Sequence, residues 1–345
     1  MSAPAFWQRR GAVGALLLPL GGLFWFVAGL RRMAYRRGWL RSRRVGVPVV
    51  VVGNLGAGGA GKTPLVLRLV ADLRAAGRHP GVISRGYGGR LRGGMQMVVT
   101  DSDPAAVGDE PLLIAQAAAC PVAVGRDRVA AARLLRERHP EVDVIVSDDG
   151  LQHYRLARDV EIVVVNGEMG FGNGWPLPAG PLREPMARLK QADAVAVVRR
   201  AGTPVLPVDH ARVFEVAPRP GQLYALTSPH TLVVAAALPR EILAVAGIAR
   251  PQQFFRTLAE LGFTVRERAF PDHHAFRPAD LESGLPVVMT EKDAVKCRAY
   301  ARPDWYALEW RIEENKALRA WLVRELEVLA ARKGGNRGNG GTAAL

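Results

Sequence analysis

Val47-Pro48-Val49-Val50-Val51-Val52-Gly53-Asn54-Leu55-Gly56-Ala57-Gly58-Gly59-Ala60-Gly61-Lys62-Thr63-Pro64 is the stretch on which the fold turns. Val47 to Gly53 is a short β-branched run that reads as a buried strand. Pro64 to Ala75 carries Leu65, Leu69 and Leu73 at helical spacing. Between them, residues 56–63 fit G-x-x-x-x-G-K-[ST], in the strand-to-helix context the pattern requires. Gly56, Gly58, Gly59 and Gly61 let the loop fold so that successive backbone N–H groups point inward at phosphate. The helix N-terminus adds a positive dipole end. Lys62 is then expected to reach the β- and γ-phosphates of ATP, and the Thr63 hydroxyl to bind Mg²⁺.

Gly56, Gly58 and Gly61 also satisfy G-x-G-x-x-G, so a dinucleotide site must be weighed. That reading expects an acidic residue about 20 positions on, where this chain has Ile83-Ser84-Arg85-Gly86. Arg85 would suit a 2′-phosphate, but Lys62-Thr63 has no role in such a site, and the phosphate cradle is favoured.

Working outward, Gly81–Ser84, Val142–Ser147, Glu161–Asn166 and Asp193–Val198 read as strands, with helices over Pro111–Ala119 and Arg126–Arg138. Alternation of this kind predicts an α/β, P-loop NTPase-like parallel sheet flanked by helices. From Pro204 to Pro229 prolines accumulate and helical periodicity fades, which suggests a linker. Beyond it, strands at Leu243–Ile248, Phe263–Ala269, Pro286–Thr290 and Tyr306–Trp310 alternate with helices at Pro251–Leu261 and Glu314–Ala331. This predicts a smaller C-terminal α/β domain. The last helix places Leu318, Trp321, Leu322 and Leu329 on one face, a core stripe. Gly334 to Gly341 is glycine-rich and expected to be unstructured. The expected organisation is residues 1–44, 45–225, 226–332 and a tail at 333–345.

Gly11 to Leu30 carries no charged residue, and as one helix it would be roughly 30 Å long, about the hydrocarbon thickness of a bilayer. Arg31, Arg32, Arg36, Arg37, Arg41, Arg43 and Arg44 follow. An N-terminal membrane helix is expected, either crossing or lying in one leaflet, with the next domain on the cytoplasmic side. The arginines suit an anionic membrane surface.

At 345 residues, 49% hydrophobic and 23% charged, the chain is globular rather than disordered. Its net charge of +15 calls for an anionic partner, but the charge concentrates beside the apolar helix without any nucleic-acid motif, so no nucleic acid is expected. Cys120 and Cys297 form no CxxC pair and read as reduced thiols.

Val142 to Ser147 delivers Asp148-Asp149-Gly150 to a sheet edge, as a Walker B element does for Mg²⁺. Gly108-Asp109-Glu110-Pro111 offers a carboxylate pair before a helix, although Asp109 would serve equally as an N-cap. Phe270-Pro271-Asp272-His273-His274 places histidines after a strand, where one of them is either a proton shuttle or structural. The long loop 172–185 ends in Arg183 and Glu184, suited to phosphate and metal. Arg85 lies in the glycine-rich Ser84-Arg85-Gly86-Tyr87-Gly88-Gly89 and suits a substrate phosphate.

Taken together, Gly61-Lys62-Thr63-Pro64, Ser84-Arg85-Gly86-Tyr87-Gly88, Gly108-Asp109-Glu110-Pro111, Asp148-Asp149-Gly150-Leu151-Gln152-His153, Pro178 to Glu184, Gly247-Ile248-Ala249-Arg250-Pro251, Asp272-His273-His274 and Thr290-Glu291-Lys292-Asp293 resemble the tetraacyldisaccharide 4′-kinase family of lipid A biosynthesis. Ala60 departs from the family's frequent threonine. The resemblance implies transfer of the ATP γ-phosphoryl group to the 4′-hydroxyl of an acylated glucosamine disaccharide 1-phosphate. It implies Asp109 as base, His273 as its orienting partner, and Lys62 on the γ-phosphate. Thr63, Asp148, Asp149 and Glu184 become the metal-site residues, and Arg85, Gln152, His153 and Arg183 line the nucleotide site. It further implies the cytoplasmic face of the inner membrane of a Gram-negative-type bacterium. No obligate protein partner is evident. A membrane-associated P-loop ATPase or GTPase is the rival; Thr290-Glu291-Lys292-Asp293 has the wrong spacing for N-K-x-D.

Overall fold

The computed structural model describes residues 4–91, 94–200 and 202–338. Gly11 to Leu30 is two helices rather than one: α1 (Ala12–Leu16) and α2 (Leu18–Arg36) meet at Leu17, with Pro19 in the first turn of α2. Pro19 suits a helix start and disfavours a helix interior, which explains the break. The apolar part of α2, Leu18 to Leu30, is only roughly 20 Å long. Among the described residues no helix is long and apolar enough to cross a membrane, so the expected crossing helix is not supported.

Among the described residues the strands form two sheets. The first contains β1 (Val49–Gly53), β2 (Pro80–Ser84), β3 (Met95–Val98), β4 (Val122–Gly125), β5 (Val144–Asp148), β6 (Val160–Asn166), β7 (Ala194–Val198) and β8 (Val213–Val216). Their order is β3-β4-β2-β5-β1-β6-β7-β8, parallel except where β3 pairs antiparallel with β4. β1 and β5 lie at the centre and are buried along their whole length, as continuous valine and isoleucine runs require in a sheet covered on both faces. The helices of this half are α3 (Lys62–Ala75), α4 (Pro104–Val107), α5 (Asp109–Ala117) and α6 (Arg128–Arg138). Leu65, Val66, Leu69, Val70 and Leu73 of α3 are fully buried.

The second sheet contains β9 (Pro218–Ala225), β10 (Ser228–Val233), β11 (Glu241–Ala246), β12 (Thr264–Ala269), β13 (Val287–Thr290) and β14 (Trp305–Ile312), in the order β10-β9-β14-β13-β11-β12. Helices α7 (Pro251–Glu260), α8 (Glu291–Cys297) and α9 (Lys316–Gly338) accompany it.

Three expectations need correction. The segment read as a linker is β8, β9 and the start of β10, so a boundary at 225 cuts β9 away from its own sheet. The apolar stripe of α9 does not pack with the second sheet alone: Leu318, Trp321 and Leu322 share a cluster with Leu65, Val66 and Leu69 of α3. The chain thus returns to its first half, and the C-terminal unit is not separate. Helix α9 also continues through Gly338, into the stretch expected to be unstructured; residues 339–345 lie outside the described residues.

Candidate active site

The loop between β1 and α3 sits at the C-terminal edge of the first sheet. Gly61 has φ +85° and caps α3, a conformation costly to any residue with a Cβ. Lys62 Nζ donates to Asn54 Oδ1 at 3.1 Å and lies 3.5 Å from Asp149 Oδ1. Arg183 reaches the same group: its Nη2 donates to Gly56 O at 3.0 Å, to Asp149 Oδ1 at 3.2 Å, and to Asn54 Oδ1. Loop 172–185 runs against the phosphate loop itself, with Ala57 N donating to Pro181 O at 2.8 Å. Burial opposes ionisation of Asp149, but the Lys62 and Arg183 charges outweigh it and lower its carboxyl to about 2.

Asp148 ends β5 and is 1% exposed. Ser84 Oγ donates to its Oδ2 at 3.2 Å, while Oδ1 is buried without a partner. Burial, then the charges of Glu110 and Asp149, push this carboxyl up to about 7. An orphaned carboxylate oxygen that feels the charges of Glu110 and Asp149 fits a hard divalent cation. Among the described residues no group of three His, Cys, Asp or Glu has metal-binding geometry.

Asp109 opens α5, and Gly108 before it has φ +92°. A Cβ there would lie 2.7 Å from Tyr87 O, so only glycine lets this turn press against the loop after β2. His273, from the loop after β12, brings Nδ1 to 3.0 Å from Asp109 Oδ2 and 3.1 Å from Oδ1. The Tyr87 ring lies 5.2 Å from the imidazole. Burial would raise the Asp109 carboxyl, but the His273 hydrogen bond and the charges of Lys292, His273 and Lys296 hold it below the usual value. The same hydrogen bond raises His273 against burial and Lys292. Lys292 Nζ lies 2.9 Å from Glu110 Oε1, 3.2 Å from Asp272 Oδ1 and 3.4 Å from His273 Nε2.

Residues 13–327 match the family model of tetraacyldisaccharide-1-P 4′-kinase, LpxK. The chain belongs to this kinase family. The tetraacyldisaccharide 4′-kinase of Thiobacillus denitrificans is 51% identical over 327 residues, covering 94% of this chain and 99% of the relative. That of Chromobacterium violaceum is 54% identical over 294 residues, covering 84% and 86%. The crystal structure of Aquifex aeolicus LpxK in complex with ATP superposes with a TM-score of 0.78 at 30% identity, covering 91% of this chain and all of that one.

The other residues expected in this kinase site fall into distinct places. Gln152 Nε2 donates to Asn54 O at 3.2 Å and to Glu184 Oε1 at 3.0 Å. Glu184 Oε2 also accepts from Tyr154 Oη at 2.7 Å and faces Arg32 and Arg188, each at 3.5 Å. Glu184 thus belongs to a hydrogen-bonded set that ties α2 to the phosphate loop. His153 Nε2 accepts from Arg128 N at 3.3 Å; burial and the Arg128 charge lower it to about 4, so it is a neutral acceptor at the start of α6. Arg85 is exposed, with no hydrogen bond to protein among the described residues.

Sequence reasoning gave no role to Asn54, Ser84 and Arg128. Arg128 is 2% exposed, and its guanidinium donates to Gly125 O at 3.0 Å and Asp148 O at 3.1 Å, holding the end of β5. Its signal was an Asp127 N-cap followed by a cation at a helix start, which runs against the helix dipole unless something else needs it there.

Proposed function

We propose that this chain binds ATP in the loop 56–63 and, with Asp109 as base, phosphorylates the 4′-hydroxyl of a tetraacyldisaccharide 1-phosphate. Membership of the family carries the reaction, a phosphotransfer of lipid A biosynthesis, and ATP is the donor in the related solved structure. Asp109 takes the hydroxyl proton as the new P–O bond forms and the β–γ bridging bond breaks. His273 holds the carboxylate in place and keeps it charged. Lys62, with Arg183, faces the phosphates. Asp148, Asp149 and the Thr63 hydroxyl are the residues that would hold Mg²⁺, which when bound offsets charge on the transferring group. The observation that supports the assignment most is the Asp109–His273 contact at 3.0 Å, on the same α5 turn whose Glu110 charge is felt by Asp148.

The same reading places α1 and α2 in one leaflet at the cytoplasmic face of the inner membrane. Leu16, Leu20, Leu23, Phe26, Val27 and Leu30 are exposed, while the opposite face is packed on loop 172–185: a Cβ on Gly21 would lie 2.6 Å from Pro176 Cγ, and Trp25 Nε1 donates to Leu182 O at 3.3 Å. An apolar stripe backed by arginines suits the interface. Labelled ATP, Mg²⁺ and a detergent-dispersed acceptor should yield a bis-phosphorylated lipid. Hydrolysis of ATP with no labelled lipid would overturn the assignment.

A further inference from the structure

We propose that Lys292 is a positioning residue of this site: it fixes His273 in the tautomer whose proton is on Nδ1, aimed at Asp109. The inference rests on the reading of Asp109 as base. An ammonium has three donors and no acceptor. Around Lys292 Nζ stand Glu110 Oε1 at 2.9 Å, Asp272 Oδ1 at 3.2 Å and His273 Nε2 at 3.4 Å. A proton on Nε2 would point at that ammonium. The other group near Nε2, Asp272 Oδ2, lies 3.8 Å away, too far to accept a hydrogen bond. The lone pair therefore belongs on Nε2 and the proton on Nδ1, where two Asp109 oxygens wait at 3.0 and 3.1 Å.

Lys292 is itself fixed. Its side chain is 16% exposed, and α8 is capped by Thr290, whose side chain accepts from Asp293 N. Asp293, fully buried, accepts from Gly247 N at 2.8 Å, and Gly247 O in turn accepts from His273 N at 3.2 Å. Helix α8 thus holds both the backbone and the ring of His273. The remaining cation nearby, Lys296, lies 3.9 Å from Asp109 Oδ2 and is engaged by Asp293 at 2.7 Å, so it does not reach the imidazole.

Nitrogen NMR of the histidine-labelled protein reads the tautomer directly. Recorded at pH 9, where the neutral imidazole is read, the wild type is expected to show His273 protonated at Nδ1 and bare at Nε2. In Lys292→Met the Nε2-protonated form should appear, with kcat down about 100-fold and KM for Mg·ATP unchanged. Lys292→Arg should recover most of the turnover and the wild-type spectrum. An Nε2-protonated wild type would overturn the inference, whatever the variants do. So would full turnover in Lys292→Met, or lost turnover with the wild-type nitrogen pattern intact. Wild-type turnover in Asp109→Asn would instead remove the base assignment and leave the tautomer result standing.

Discussion

His273 Nδ1 lies 3.0 Å from Asp109 Oδ2, and each residue is carried by a different sheet. Asp109 opens the α5 helix of the first half, and His273 follows β12 of the second. α5 and α8 pack together at this seam, so Asp109 and His273 exist as a pair only while the two halves are docked. Asp109→Asn should lower lipid phosphorylation by about 100-fold to 10,000-fold, the range for loss of a general base. Its ATP affinity should stay near that of the wild type, and single-turnover transfer alongside equilibrium binding would check both.

The same pair sets a stability window. Asp109 is held below its ordinary 3.8 and His273 is raised above its ordinary 6.5. The depressed carboxyl contributes stability above its unfolded value, which is lost as pH falls through the folded one. The raised imidazole contributes stability that is complete below its unfolded value and disappears as pH rises through the folded one. The gap in Tm between wild type and His273→Gln should therefore be widest between about pH 4 and pH 6.5 and narrow at pH 9. A gap that widened toward pH 9 would contradict this.

Asp148 offers a buried carboxylate oxygen with no protein partner. Asp148→Asn removes a charge from the proposed cation site without changing its shape. The Mg²⁺ concentration for half-maximal phosphorylation should rise at least about tenfold, and chelation with EDTA should abolish turnover in both proteins. An unchanged Mg²⁺ titration would place the cation elsewhere.

Helix α9 makes the first half depend on the end of the chain. Leu322 is fully buried in the cluster that holds Leu65 and Val66 of α3, the helix that the phosphate loop opens into. Leu322→Ala should cost about 2–5 kcal/mol, seen as a lower Tm, and bound ATP should restore part of the loss. If ATP gave no such recovery, α9 would not be coupled to the nucleotide-binding half.

What could be read from residues alone follows from how local the cause is. The phosphate loop was legible because Gly61, Lys62 and Thr63 act through their own backbone and the strand beside them. β1, β5, β6 and β7 were legible as continuous valine and isoleucine runs. β9 was not: Pro218 and Pro220 read as linker, yet β9 lies between β10 and β14. A register irregularity between Leu308 and Trp310, opposite Pro220, accommodates the missing N–H. The stripe of α9 announced a buried face but not the surface it meets. Glu184 looked like a metal ligand because Arg32 and Tyr154, two of its partners, come from distant turns of chain that no spacing connects, while Arg188 lies only four residues on. Lys292 stood in plain view within Thr290-Glu291-Lys292-Asp293, but its meaning depends on His273, which the fold of the second half brings to it, and on Glu110, which the docking of α5 on α8 supplies.

On the proposed reading, one face of α2 meets the membrane and the other packs on the kinase fold. Leu23 and Val27 are 60% and 56% exposed, so Leu23→Asp with Val27→Asp should leave Tm almost unchanged. Each loses the transfer energy of a large apolar side chain, about 1.5–3 kcal/mol if fully inserted, so cosedimentation with anionic vesicles should weaken at least about tenfold. Gly21→Leu acts on the other face: its Cβ would meet Pro176 Cγ at 2.6 Å, pushing α2 off loop 172–185. That loop ends in Arg183, which donates to Gly56 O and Asp149 in the phosphate loop region. Gly21→Leu should therefore bind vesicles well yet phosphorylate the lipid poorly. Full turnover in Gly21→Leu, or unimpaired vesicle binding in the double aspartate variant, would show that the two faces of α2 do not divide the work this way.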